Sequence, residues 1–403
     1  MAYSFTSRSG RVDRTPPDND VTVFLVAVIA TFATGGALTL LNVTFPSQYD
    51  ELQHCSFIVA LRHVPTLFPA YGTYKVLTDD LQTWTDAMNY IAHPPLYYLL
   101  LAPFGDNVLV LRAINLVMAV AGFALCAQAG VNLLETRVQR IAYVLVLFAF
   151  SKPMLIAGMV NNDNLVLLET GLLFRLVAAD RVRPIAIAGL LALVGWTKFN
   201  AFVGLVAMVG LLQVAAIWRR QQSVFGVTSS LFAAGVAIGA IPTIANFVQL
   251  GVPAYVPVHF LYVEPSARPD FTFAQFASAF FHQVGRKFLF SDNAADMLPA
   301  LVVITFVGGA ALFDRGRTRA RAIAVCAWIA TLFFAIIHLR YGWNSFRALG
   351  SMSDAQSRYY VMLWPGFALA AVVGASALRE MIARRMSSPN VAALPDRQTP
   401  IRD

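Results

Sequence analysis

The chain has 403 residues, of which 58% are hydrophobic and 13% charged, and its formal net charge is +8 at pH 7. Soluble domains are less apolar and about 25% charged, so a soluble enzyme is excluded. The basic residues do not form a nucleic-acid patch either. Arg8, Arg11 and Arg14 precede the first apolar run, and Arg379, Arg384 and Arg385 follow the last. Between them Arg137 and Arg140, Arg181 and Arg183, Arg219 and Arg220, and Arg315, Arg317, Arg319 and Arg321 fill alternate connections. That is the pattern of the positive-inside rule, so the basicity is topological.

In chain order, residues 1–20 read as a disordered cytoplasmic tail. The uncharged run 21–41 is longer than a signal-peptide core and lacks a convincing cleavage site, so it reads as a retained first span. A long outer segment, 42–107, follows. Apolar spans are then expected at 108–130, 141–158 and 163–179, with a tight hairpin of 184–197 and 199–218 around Lys198. A span at 226–249 leads to a second outer loop, 250–296. Spans at 297–313, 322–338 and 358–378 enclose a third outer segment, 339–357. The expectation is an all-α, polytopic transmembrane bundle of about ten spans. It forms one domain over 21–378, and residues 379–403 form a second disordered cytoplasmic tail. Cys55, Cys126 and Cys326 suggest no disulfide framework or zinc site.

Outer segments hold most of the sequence that is not span, so chemistry is expected there. No glycine-rich phosphate loop occurs, and an outer face has no ready supply of nucleotide. Asp50 and Glu51 stand at the membrane surface, one helical turn before His54. Ionisable groups at that depth are costly and point to function. The bland reading makes the two acids solvated helix caps. His93, before Pro94 and Pro95, either ends a loop or hydrogen-bonds a ligand. The run 96–104 is too short to span, so it reads as a re-entrant or interfacial helix. Asp163, within Asn161-Asn162-Asp163-Asn164, is either an N-terminal helix acid or a sugar ligand. Lys198 and Arg358 are cations suited to a phosphate, with Arg340, Arg286 and Lys287 in reserve. Trp364 reads as an interface anchor.

Five motifs in order carry a family resemblance. They are Asp50-Glu51-Leu52-Gln53-His54, His93-Pro94-Pro95-Leu96-Tyr97-Tyr98, Asn161-Asn162-Asp163, Thr197-Lys198-Phe199 and Gln356-Ser357-Arg358-Tyr359-Tyr360. Together they resemble the GT-C membrane glycosyltransferases, and within these the protein mannosyltransferase and aminoarabinose transferase group. The likeness covers 21–378 and lacks the large soluble C-terminal domain of some members. It implies inverting transfer of a sugar from a polyprenyl-phosphate donor to a glycan, lipid or protein acceptor on the extracytoplasmic face. A bacterial inner membrane, with the site facing the periplasm or exterior, fits that reading. The resemblance makes Asp50 the general base, with Glu51 beside it. His54, His93, Asp163, Lys198, Arg358 and Tyr359 become substrate contacts. A divalent metal on Asp50, His54 and Asp163 stays open as a cofactor. The competing readings are a transporter or lipid flippase, and a non-catalytic scaffold. A transporter more often shows paired repeats and helices broken near the midplane, whereas these ionisable residues gather at one face.

Overall fold

A computed structural model describes residues 19–250, 270–286 and 297–387, apart from 48, 182, 315, 317, 351, 353 and 354. Residues 1–18 and 388–403 of the two expected tails, and most of the loop 250–296 with Lys287, lie outside the described residues.

Helix α1 (Asn19–Asn42) is followed by α2 (Glu51–His63). An antiparallel ribbon of β1 (Lys75–Leu77) and β2 (Trp84–Met88) and the short α3 (Leu96–Leu101) come next. Then come α4 (Val108–Leu133), α5 (Arg137–Ala149), α6 (Lys152–Ala157), α7 (Asp163–Ala178), α8 (Pro184–Thr197), α9 (Phe199–Trp218) and α10 (Val227–Leu250). The described chain continues with α11 (Phe273–Arg286), α12 (Leu298–Gly309), α13 (Arg319–Leu349) and α14 (Trp364–Ser387). Tight 3-10 turns cover Ala310–Phe313 and Ser357–Tyr360.

The expected all-α membrane architecture is present. Helices α1, α4, α9, α10, α13 and α14 are long and apolar enough to cross a bilayer. Their outer faces expose large apolar side chains such as Val23, Leu41, Ile336 and Ile382, which a lipid surrounding accommodates. The other expected spans are shorter. The run 141–158 divides into α5 and α6 because Pro153, in the first turn of α6, cannot continue the hydrogen-bond ladder of α5. Helix α5 starts earlier than expected, at Arg137, because Thr136 and Gln139 form a reciprocal capping box. The third outer segment is partly helical, since α13 runs on to Leu349. The last helix begins at Trp364 rather than 358 and continues through part of the expected tail to Ser387. Trp364 is no interface anchor. It is buried, and its indole N–H donates to the Leu147 carbonyl at 3.0 Å.

The two ends of the bundle differ in chemistry. At one end Arg137 pairs with Asp20 at 3.0 Å, and Arg321 donates to the carbonyls of Ala311, Leu312 and Gly316. At the other end meet the C-terminus of α1, helices α2 and α3, the starts of α4 and α7, the α8–α9 junction and the turn before α14. Close helix contact sets the spacing there. A methyl group on Gly122 of α4 would lie 2.5 Å from the Leu167 carbonyl of α7, and one on Gly171 would lie 2.5 Å from the Gly122 oxygen. Small residues that let backbones touch are the usual device of membrane helix packing. Gly122→Val should therefore lower thermal stability in detergent by about 1–3 kcal/mol or more. Gly189→Ala is the control, because nothing lies within 4 Å of the added methyl. Equal melting of the two variants would refute the close α4–α7 crossing.

Candidate active site

The polar end is organised from Glu51 outward. Its carboxylate is fully buried, and each oxygen accepts two hydrogen bonds. Arg112 of α4 donates Nε–H to Oε1 at 2.8 Å and Nη2–H to Oε2 at 2.7 Å. The Val160 amide donates to Oε1 at 2.9 Å and the Ser47 amide to Oε2 at 3.0 Å. The remaining Arg112 nitrogen donates to the Leu40 and Val43 carbonyls. Glu51 thus has no oxygen left for a substrate, and its chemistry differs from that of its neighbour.

Asp50 immediately precedes α2 in the left-handed region, at φ 61. That conformation is uncommon for residues other than glycine and is held only where the surroundings enforce it. Arg358 Nη2 donates to Asp50 Oδ2 at 2.8 Å, and the Tyr90 hydroxyl donates to Oδ1. Burial works to raise the Asp50 pKa, but Arg358, Tyr90 and His54 outweigh it and hold the carboxyl at about 2. It is ionised at neutral pH.

Asp163 opens α7, where the positive helix end favours an acid. Lys198, between α8 and α9, donates to Asp163 Oδ1 at 2.6 Å and to Asn162 Oδ1 at 3.1 Å. Arg358 Nε stands 3.9 Å from Asp163 Oδ2. Lys198 and Arg358, far apart in sequence, therefore converge on one carboxylate. Both also lie against the Tyr359 ring, at 5.6 and 5.8 Å from its centroid. Arg358 is buried and strongly charged. Burial opposes its proton, but Asp50, Tyr359 and Asp163 more than restore it. Among the described residues its Nε and Nη1 have no hydrogen-bond partner, nor has Asp163 Oδ2.

His54 and His93 stack with ring centroids 6.1 Å apart, and His54 Nδ1 is 2.9 Å from the Tyr98 hydroxyl. Burial is the main cause that drops the His54 pKa to about 3 and holds His93 well below its ordinary value, so both rings are neutral. The backbone carbonyl of His93 accepts from Tyr71 at 2.7 Å. The reserve cations Arg286 and Arg340 are exposed on α11 and α13.

Several partners were not singled out from sequence. They are Arg112, Tyr90, Asn115 and Lys152, which donates to the Tyr49 hydroxyl at 3.1 Å. Asn115 accepts from Tyr97, Asn161 and Asn164, tying α3 and α4 to the loop before α7. Arg112 and Lys152 carried a usable signal, because each is a charge inside an expected apolar span. Tyr90 carried none.

Among the described residues no group of three His, Cys, Asp or Glu side chains could hold a metal ion, and Asp50 and Asp163 are each engaged by a cation. An apolar cavity of about 520 Å³ is lined by Phe281, Leu301, Thr305, Leu332, Tyr360 and Trp364 among others, and Tyr360 stands two residues after Arg358 in the chain.

The two acids should respond differently to neutralisation. Glu51→Gln leaves the buried Arg112 without its counter-charge, a loss of about 3–5 kcal/mol. It should give little folded protein by size exclusion and thermal unfolding, whereas Asp50→Asn should yield folded protein. A well-folded Glu51→Gln variant would refute the structural reading of Glu51.

No family model and no curated protein matches the sequence. Among solved structures, ArnT from Cupriavidus metallidurans bound to undecaprenyl phosphate is similar. The identity is 15%, over 95% of this chain and 67% of that one, and the TM-score is 0.51. The apo structure of the same enzyme matches at 14% identity over 89% and 78% of the two chains, with a TM-score of 0.39. The chain shares the helix-bundle fold of ArnT.

Proposed function

We propose that this protein transfers a sugar from a polyprenyl-phosphate donor to an acceptor hydroxyl on the extracytoplasmic face of a bacterial inner membrane. One observation carries the reading. Two carboxylates and two cations, from four separate segments, converge at one end of a bundle whose fold resembles that of ArnT. The structural neighbour is bound to undecaprenyl phosphate, which supports the choice of donor class.

In this reading Asp50 is the base and Glu51 is structural. The acceptor oxygen attacks the anomeric carbon opposite the phosphate, so the configuration inverts. Its proton passes to Asp50 Oδ2 or Oδ1 as the bond forms. The bond between the anomeric carbon and the phosphate oxygen breaks, and its electron pair leaves with the phosphate. The unbonded Nε–H and Nη1–H of Arg358 point to a role in taking up that charge, with Lys198 adding a point charge. Neutral His54 and His93 suit hydrogen bonds to sugar hydroxyls. Asp163 orients Lys198 and Arg358. The apolar cavity beginning at Tyr360 suits the first isoprenoid units, because a lipid phosphate needs its anion at a polar rim and its tail in hydrocarbon.

Asp50→Asn should lower turnover of undecaprenyl-phosphate-linked sugars about 10²–10⁴-fold, measured as sugar released from the lipid. A loss within about threefold would move the base to Asp163. Orientation is tested at the exposed Thr83. Thr83→Cys should react with an impermeant maleimide in intact cells, and labelling only after lysis would reverse the topology.

A further inference from the structure

Resting on the donor reading above, we infer that Asp50 and the donor's phosphate compete for the guanidinium of Arg358, so that the base is released only when donor is seated. The argument begins with charge. Asp50, Asp163, Lys198 and Arg358 form two anions and two cations linked by contacts of 2.6, 2.8 and 3.9 Å. Those four charges balance, and Lys152 shares the Tyr49 ring with Arg358, so an entering phosphate competes with the resident carboxylates for the cations around it. Arg358 is the group prepared to receive it. It is 7% exposed, and among the described residues its Nε and Nη1 lack hydrogen-bond partners. Buried donors left unbonded are unfavourable, and a phosphate offers several acceptor oxygens to satisfy them.

The carboxylate that yields is Asp50 rather than Asp163. The Asp163 side chain is 1% exposed and holds Lys198 at 2.6 Å. The Asp50 side chain is 29% exposed and sits on a left-handed backbone. Its other contact, the Tyr90 hydroxyl, survives loss of the arginine. The consequence for chemistry is direct. A carboxylate paired with arginine is a weak base, because its proton affinity is depressed. Once the guanidinium turns to the phosphate, Asp50 keeps its burial and loses its main counter-charge, so it accepts the hydroxyl proton more readily. After transfer the sequence reverses. When Asp50 has passed its proton to solvent, the restored carboxylate draws Arg358 back and helps expel the polyprenyl phosphate. The pair is thus a donor-operated switch, and donor binds before the base is active.

The test is equilibrium binding of undecaprenyl phosphate to the full-length protein in nanodiscs. If Arg358 is engaged by Asp50 most of the time, the fraction competent for phosphate is about a tenth or less, so removing the acid should tighten binding about tenfold. Asp50→Asn should show that gain, and Asp50→Ala should reproduce it. Arg358→Gln should weaken binding, and the gain should vanish in the double variant with Asp50→Asn. Unchanged or weaker binding in both Asp50 variants overturns the competition while leaving the donor reading standing. Failure of the wild type and all variants to bind the lipid overturns both. Inorganic phosphate at millimolar concentration should leave the lipid in place. Its displacement by inorganic phosphate would make this a site for free phosphate and overturn the proposal.

Discussion

The buried pair of Glu51 and Arg112 ties together the polar end of the bundle. Through four hydrogen bonds Glu51 joins the stretch after α1, the start of α2, helix α4 and the loop before α7. Arg112 in turn caps the Leu40 carbonyl in the last turn of α1 and the Val43 carbonyl just beyond it. An ion pair out of water is stable only when its remaining donors and acceptors are satisfied, and here each oxygen of the acid accepts two bonds. Because Glu51 is anchored, Asp50 is held one residue earlier in its strained conformation and its carboxylate is presented to Arg358.

A second charged system is built on that frame and is deliberately incomplete. Asp163 receives Lys198, Arg358 reaches both acids, and the Tyr359 ring lies against both cations. Unlike the first system it leaves buried polar atoms without hydrogen-bond partners among the described residues: two nitrogens of Arg358 and one oxygen of Asp163. One cluster is saturated and rigid, and the other is balanced in charge yet short of bonds. Adjacent positions, Asp50 and Glu51, divide between them. That division follows from the backbone. Asp50 is left-handed and lies outside α2, so its side chain departs from the helical spacing that Glu51 begins, and one acid enters the bundle while the other meets Arg358.

Helix packing supports both systems from below. The close approach at Gly122 and Gly171 brings α4 and α7 together, so that Asn115 and Asn164 meet at 3.0 Å and the loop bearing Asp163 is held against α4. Neutral His54 and His93 line the side toward α3, where Tyr97 and Tyr98 are fully buried.

Much of this was legible in the sequence. Apolar runs bounded by arginine-rich connections specify a polytopic helical protein, because hydrocarbon admits only self-satisfied backbone and the arginines mark alternate loops. Charges placed next to such runs pointed to Asp50, His54, Asp163, Lys198 and Arg358, since an ionisable group at membrane depth needs a reason. Helix ends were less legible. The break at Pro153, the extension of α13 to Leu349 and that of α14 to Ser387 depend on local caps and on packing that hydropathy does not register. Partnership was only partly legible. Sequence put Asp50 ahead of Glu51 as the base and grouped Lys198 with Arg358 as phosphate cations, but it left Arg112 and Lys152 inside spans and passed over Tyr90. Which acid is saturated and which faces a cation is decided by contacts between residues as distant as 50 and 358, and only the folded chain brings those side chains within hydrogen-bond distance.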